Sequence, residues 1–291
     1  MPLSVTRYGV NVLSVEAPGQ DAPVRARLYR ASASCERALV WVHGGAFAFG
    51  DLDMPEADAT ATWLAAHHWA VLSVDYRLAP EPDFETGRIG TGGHPFPAAH
   101  DDVIAAFDWM VDHAEDLGAA PDAVLLGGAS AGGNLAAGAA VELRERARGG
   151  DDRIVPAGLF LAYPVLHATM PEPTPETAAA IATAPQDARF PADVIRTMNL
   201  NYVAGDESLL TDPRAFAGEG DPAGLPATLV IDSEADDLRP SGERFAAQLA
   251  QAGVDVRHHV EPGTLHGHLN RPELPAFART LERLLEWSAT R

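Results

Sequence analysis

Apolar runs alternate along the chain with amphipathic stretches of helical period. Six apolar runs predict buried strands, at residues 39–43, 70–75, 123–127, 158–163, 228–232 and 254–260. Helical spacing of apolar residues predicts helices at residues 101–117, 135–148 and 242–252. Because strands that alternate with helices form parallel sheets covered on both faces, we predict an α/β fold with a mostly parallel central sheet flanked by helices.

Three further stretches complete the pattern. Residues 5–15 and 24–29 predict an opening β-hairpin. A glycine-rich loop covers residues 82–93, and a long stretch over residues 166–225 contains one helical pattern near residues 192–203. We find no internal repeat and no interdomain linker, so residues 1–291 are predicted to form a single domain.

Composition narrows the classes of protein. The formal net charge of −20 repels phosphate backbones and anionic headgroups, so no nucleic-acid partner and no membrane partner is expected. All 21 basic residues are arginine, which excludes a Schiff-base lysine and a P-loop lysine. Cys35 is the one cysteine, so no intramolecular disulfide and no CxxC motif can form.

Targeting signals are not evident in the sequence. No stretch is long and apolar enough to span a bilayer. Residues 1–7 lack the charged and then apolar pattern of a signal peptide. We therefore expect a cytoplasmic protein.

A short glycine and alanine segment carries the most specific chemical signal. Residues 128–132 read Gly-Ala-Ser-Ala-Gly, after one apolar run and before an alanine-rich helical stretch. A serine on a sharp strand-to-helix turn needs such small neighbours, because the two chain segments cross closely. The pattern therefore predicts a nucleophile elbow at Ser130, although an ordinary glycine-rich turn reads similarly.

Other chemistry follows the predicted strands in a defined order. Residues 43–47, His-Gly-Gly-Ala-Phe, end one strand in a tight turn whose backbone N–H groups could bind an oxyanion. Another strand leads to four acids, and the last strand leads to His266. The acids are Asp232, Glu234, Asp236 and Asp237. The order serine, acid, histidine is that of α/β-hydrolases rather than of trypsin-like or subtilisin-like proteases.

These segments and several others resemble the bacterial hormone-sensitive-lipase-like (family IV) carboxylesterases of the α/β-hydrolase superfamily. The matching segments are residues 43–47, 75–81, 94–99, 128–134, 163–164, 236–239 and 263–267. The resemblance implies an α/β-hydrolase fold. It also implies that residues 166–225 form a substrate-covering cap, reduced here because little chain precedes the first strands. For both residues 82–93 and residues 166–225, the alternative is an ordinary linker with no role in substrate binding.

The resemblance also implies the catalytic roles. Ser130 would be the nucleophile and His266 its general base, with Asp236 favoured over the other acids of the same loop. The oxyanion hole would comprise the N–H of Ala131 with those of Gly44, Gly45 or Ala46. Ala46 departs from the third glycine of the family, and Ala129 stands where an aspartate is common.

Metal and cofactor chemistry is not indicated. His266 and His268 could form a metal pair, but no third clustered ligand accompanies them. We expect no cofactor and no metal.

The expected activity is hydrolysis of carboxylic esters of short acyl chains through an acyl-enzyme, with a small-molecule ester as substrate. An amidase or formamidase of the same fold is the alternative, because the same machinery cleaves activated amides. A noncatalytic receptor on this fold is a third reading, which the retained serine, acid and histidine disfavour. The sequence leaves open whether the protein is a homodimer.

Overall fold

The computed structural model describes residues 4–7, 9–31 and 35–290. Within them the chain forms one nine-stranded sheet with helices on both faces. The strands are β1 (Ser4–Arg7), β2 (Val10–Ala17), β3 (Val24–Ala31), β4 (Arg37–Val42), β5 (Trp69–Asp75), β6 (Val124–Ala129), β7 (Leu159–Ala162), β8 (Thr228–Ala235) and β9 (Val256–Leu265). The helices are α1 (Pro55–Ala66), α2 (Ala98–Leu117), α3 (Ala131–Arg148), α4 (Pro175–Ile181), α5 (Ala192–Tyr202), α6 (Arg239–Gln251) and α7 (Pro275–Ser288).

Strand order confirms the predicted fold class. The order is β1-β2-β3-β5-β4-β6-β7-β8-β9, antiparallel up to the β3–β5 pair and parallel from β5 to β9. The predicted opening hairpin is wrong in one respect, because its first arm is two antiparallel strands, β1 and β2. Gly9 lies between them with a φ of 78°, a left-handed conformation that glycine adopts without strain.

The two faces of the sheet carry separate apolar cores. Side chains alternate across strand β4, so Val40 and Val42 pack on one face and Leu39 and Trp41 on the other. The first face is covered by apolar residues of α2, α3 and α6, and the second by those of α1 and α7. Burial on both faces explains why the central strands are continuous apolar runs rather than alternating ones.

Parallel strands bring the predicted site residues to one edge of the sheet, the edge that the carboxyl ends of the strands form. His43 follows β4, Ser130 follows β6, Asp236 follows β8 and His266 follows β9. Because β4 and β6 to β9 run in the same direction, their carboxyl ends meet at the same edge. Binding sites in α/β sheets typically lie at this edge.

Candidate active site

The turn at Ser130 has the geometry that its neighbours permit. Ser130 has a φ of 53° and a ψ of −119°, an unusual backbone for a residue with a side chain. A Cβ added to Gly128 would lie 2.3 Å from the carbonyl oxygen of Gly132, and one added to Gly132 would lie 2.2 Å from that of Val42. The two glycines therefore allow β6 to turn directly into α3, which leaves Ser130 at the head of the helix.

A hydrogen-bonded series joins Ser130, His266 and Asp236. Nε2 of His266 lies 3.0 Å from Oγ of Ser130, and its Nδ1 lies 2.7 Å from Oδ2 of Asp236. The carboxylate of Asp236 is fully buried, and its Oδ1 accepts the N–H of Leu238 at 2.9 Å. This second bond fixes the carboxylate, which in turn orients the imidazole.

Two of the competing acids lie on strand β8 rather than in the loop that follows it, which corrects the prediction for their position. Asp232 is buried and bonds His258 of β9 at 2.8 Å. Glu234 accepts the N–H of Gly263 at 2.8 Å. Both therefore hold β8 to β9, and neither reaches His266.

Asp237, the fourth acid, is bound to the long connection between β7 and β8. Its two oxygens accept hydrogen bonds from Nε and an Nη of Arg189, each at 2.7 Å, and one of them also accepts the N–H of Phe190 at 2.8 Å. The ring of Phe190 meets that of His266 edge to face, with centroids 4.9 Å apart. Asp237 thus ties this connection to the loop at residues 236–238, the acid loop, and leaves Asp236 as the partner of His266.

The surroundings of His266 raise its pKa. Burial alone lowers it, but the charge and hydrogen bond of Asp236, with the charges of Glu56 and Asp237, outweigh burial, so the pKa lies above the ordinary value of 6.5. A general base must be neutral, so activity should be lost as the pH falls through this pKa.

We therefore expect the acidic limb of the kcat/KM profile to have its midpoint above pH 6.5. The measurement is kcat/KM on a neutral ester between about pH 5 and pH 9, which covers the range in which an imidazole titrates. A midpoint below 6.5 would contradict the balance of charges described here.

The backbone of Gly45, Ala46 and Ala131 lies next to Ser130. Gly45 and Ala46 have φ values of 120° and 52°, and Ala131 is the first residue of α3. The N–H groups of these three residues have no acceptor among the described residues. The N–H of Gly44 instead donates to Oε1 of Glu56 at 2.6 Å, so Gly44 offers no free donor, in contrast to its predicted place in the oxyanion hole.

A cavity of about 380 Å³ lies over Ser130 and His266. Its lining includes residues of the turn at residues 43–47, called the oxyanion turn after its predicted role, of the glycine-rich loop and of helix α5. The apolar side chains that line it are Ala46, Phe49, Met54, Phe84, Phe190, Val194, Ile195, Met198 and Leu238. An apolar cavity of this size suits the uncharged part of a small molecule.

The glycine-rich loop packs against helix α5. Asp83 and Arg88 exchange two backbone hydrogen bonds, so the loop forms a small hairpin with Phe84 near its tip. The buried side chain of Asn201, in α5, accepts the N–H of Gly90 at 2.8 Å and donates to the carbonyl of Pro80 at 2.6 Å. Asn201 therefore fixes the loop to helix α5. The loop contributes Phe84 to the lining of the cavity.

Several residues of the site were not found by sequence reasoning. Glu56, Arg189 and Asn270 carry no motif of their own, and their partners lie far away along the chain. One signal was available for Glu56, because an acid directly after a proline marks the first turn of a helix. Helix α1, which begins there, was not predicted.

The two histidines weighed as a metal pair, His266 and His268, are both engaged in hydrogen bonds, and the expected absence of a metal stays a prediction. Nδ1 of His268 lies 2.9 Å from the hydroxyl of Ser233, and its Nε2 lies 2.8 Å from that of Thr280. Both imidazoles therefore have both nitrogens in hydrogen bonds to other groups.

None of the helices in the described part of the chain has the length and apolar character needed to cross a bilayer. The cytoplasmic location and the lack of a nucleic-acid or membrane partner stay predictions.

The chain matches a known protein family and individual proteins of known structure or activity. A family model described as an alpha/beta hydrolase fold matches residues 39–270. The chain is similar to carboxylesterase NlhH of Mycobacterium tuberculosis, with 35% identity over 238 residues, which cover 80% of this chain and 66% of the relative. It thus spans slightly less than two thirds of that relative's length.

Solved structures of esterases also match this chain. An esterase of Pyrobaculum calidifontis matches with a TM-score of 0.80 and 31% identity, covering 96% of this chain and 84% of that one. Brefeldin A esterase, a bacterial homologue of human hormone-sensitive lipase, matches with a TM-score of 0.79 and 27% identity, covering 100% of this chain and 79% of that one.

Proposed function

Since this chain belongs to the hormone-sensitive-lipase-like esterases of the α/β-hydrolase family, we propose that it is a serine carboxylesterase acting on small-molecule esters. The observation that carries the proposal is the hydrogen-bonded series from Ser130 through His266 to Asp236, placed under an apolar cavity. Nucleophilic catalysis on an ester requires these three roles and no cofactor.

In the first half of the reaction, Oγ of Ser130 attacks the carbonyl carbon of the ester while Nε2 of His266 takes the hydroxyl proton. The carbonyl oxygen becomes an oxyanion, and the N–H groups of Gly45, Ala46 and Ala131 stabilise it. Donors that are already oriented act strongly in a site that excludes water. Asp236 stabilises the imidazolium that forms.

The tetrahedral intermediate then collapses, which completes the first half of the reaction. The bond to the alcohol oxygen breaks, and His266 gives its proton to the departing alcohol, which leaves Ser130 acylated. In the second half of the reaction, water attacks the acyl carbon while His266 takes one of the protons of the water molecule. Collapse of this second intermediate breaks the bond between the acyl carbon and Oγ of Ser130, releases the carboxylic acid and lets His266 return its proton to Ser130.

We further propose that residues 166–225 act as a cap over the nucleophile and limit the acyl group. Side chains from this segment, Phe190, Ile195 and Met198 among them, line one wall of the cavity. Phe84 and Phe49 lie at its mouth, with ring centroids 6.3 Å apart and more than a third of each residue exposed. A small cavity with an aromatic mouth favours short acyl chains.

We expect kcat/KM on p-nitrophenyl esters to be highest between acetate and hexanoate and to fall by laurate. Each methylene adds about 0.8 kcal/mol only while it is buried, so the gain stops at the cavity wall. Phe84→Ala should move the optimum to longer chains and change KM more than kcat. The measurement is the full acyl series on both proteins, beside an anilide and N-formylkynurenine.

Ile89→Ala is the matched control, because Ile89 is an exposed side chain of the same loop that does not line the cavity. It should leave the acyl optimum in place. Faster cleavage of the anilide or of N-formylkynurenine than of every ester would favour the amidase alternative. A preference for laurate would show that the cavity extends beyond Phe84.

A further inference from the structure

Behind the oxyanion turn lies a buried carboxylate that takes no part in the proposed reaction. Glu56 is 2% exposed and is the second residue of α1, after Pro55. The positive end of the helix dipole favours a negative charge at this position. Its hydrogen-bond partners are N–H and O–H donors of uncharged groups rather than a cation.

These partners belong to three different segments of the site. Oε1 of Glu56 accepts the N–H of Gly44, in the oxyanion turn, at 2.6 Å. Oε2 accepts the hydroxyl of Tyr163, just after β7, at 2.8 Å and the side-chain amide of Asn270, four residues after His266, at 2.9 Å. One carboxylate thus connects the oxyanion turn to the segment that carries the base.

The surrounding backbone is shaped for this contact. A Cβ on Gly44 would lie 2.7 Å from Oε1 of Glu56 and 3.1 Å from Cβ of Ser130, so only glycine lets the three groups approach. Tyr163 has a φ of 38°, a strained value for a residue with a side chain, and its ring meets that of His266 edge to face at 5.1 Å. The bond to Glu56 holds this tyrosine in place.

Resting on the proposed function, we propose that Glu56 is a positioning residue whose carboxylate fixes the oxyanion turn relative to Ser130 and His266. Oxyanion donors act only at the right distance from the developing charge, and a misplacement of about 1 Å can cost about 100-fold in rate. A rigid tie between the donors and the base would prevent such a misplacement.

The carboxylate also contributes to the electrostatic surroundings of His266. Negative groups reach the imidazole from two elements, Asp236 and Asp237 of the acid loop and Glu56 of α1. Two other titratable groups packed there are neutral: Tyr163, whose pKa burial raises, and His268, whose pKa burial lowers to about 3. The guanidinium of Arg189 also lines the cavity, where it is paired with Asp237. Removing the Glu56 charge should therefore lower the pKa of His266.

Glu56→Gln is the test. Glutamine keeps the shape and an acceptor for the N–H of Gly44, but its NH₂ group meets the NH₂ of Asn270, and the charge is lost. We expect kcat on a short ester to fall about 10- to 100-fold with little change in KM. The midpoint of the acidic limb, and the pKa of His266 followed by NMR, should both decrease.

Two variants make the result specific. Glu56→Gln combined with Asn270→Asp restores a donor opposite an acceptor and returns a negative charge, so it should recover part of kcat and raise the midpoint again. Asp58→Asn is the matched control, since Asp58 lies in the same turn of α1 but bonds Tyr29, outside the site. It should leave both kcat and the midpoint within about twofold of the wild type, the range expected of a substitution away from such features.

A folded Glu56→Gln protein with unchanged kcat and an unchanged His266 titration would overturn the proposal, whatever its melting temperature. Equal losses in Glu56→Gln and in the double variant would overturn it too. A wild-type protein that hydrolyses no ester would refute the proposed function alone. The NMR titration of His266 would then decide the role of Glu56.

Discussion

Ser130→Ala should lower kcat/KM on short esters by at least about 10⁴-fold, because the nucleophile of the acyl-enzyme is lost and only binding and oxyanion stabilisation remain. Removal of one hydroxyl from a residue that is 7% exposed should leave the fold intact. The measurement is steady-state kinetics with a melting curve on the same preparation.

Covalent labelling provides an independent check of the same role. Mass spectrometry of the wild-type protein after organophosphate treatment should show one adduct, on Ser130, and the alanine variant should show none. Full activity in Ser130→Ala, or an adduct on another residue, would refute the assignment.

Asp236→Asn should have the second largest effect, a loss of about 10³- to 10⁴-fold in kcat. An amide in this place can donate to Nδ1 of His266, which would favour the wrong tautomer and leave the imidazolium without its counter-charge. The measurement is kcat beside a melting curve, since a buried carboxylate that accepts two hydrogen bonds also supports the loop.

Asp237→Asn is the matched control for this effect, because Asp237 is the next residue and binds Arg189 instead of His266. It should cost no more than about tenfold in kcat/KM, through a looser cap wall, since a partly exposed ion pair is worth about 1 kcal/mol or less. If the two variants exchanged these magnitudes while both stayed folded, the acid would be Asp237.

The central part of the fold could be predicted because the residues that determine it lie close together in the sequence. The apolar runs of β4 to β8 are buried on both faces, and the small residues around Ser130 serve a close crossing, so both can be read within a few positions. The α/β-hydrolase fold and the esterase family are confirmed. The catalytic roles, the cap and the single domain stay predictions.

The errors concern element ends and distant partners. Strand β9 continues to Leu265, past the predicted end at residue 260, because Glu234 and Thr264 keep it bonded to β8. The pairing of Glu56 with Asn270 joins positions 214 residues apart, and no local pattern records such a contact. Helix α7 has its apolar residues at helical spacing, but the alternation of strands and helices did not require it.

The strand order separates two ways in which the proposed activity could be lost. His266 directly follows strand β9, which within the described part of the chain is an edge strand paired with β8 alone, whereas Ser130 directly follows β6, which is paired on both sides. A strand with a neighbour on one side only has fewer contacts to lose, and regions with fewer contacts open locally at lower free energy. Opening of β9 would remove the base and leave the nucleophile turn folded. We therefore expect heating to abolish the proposed activity before the whole chain unfolds, so that a half-life of activity would report on strand β9 rather than on the whole protein.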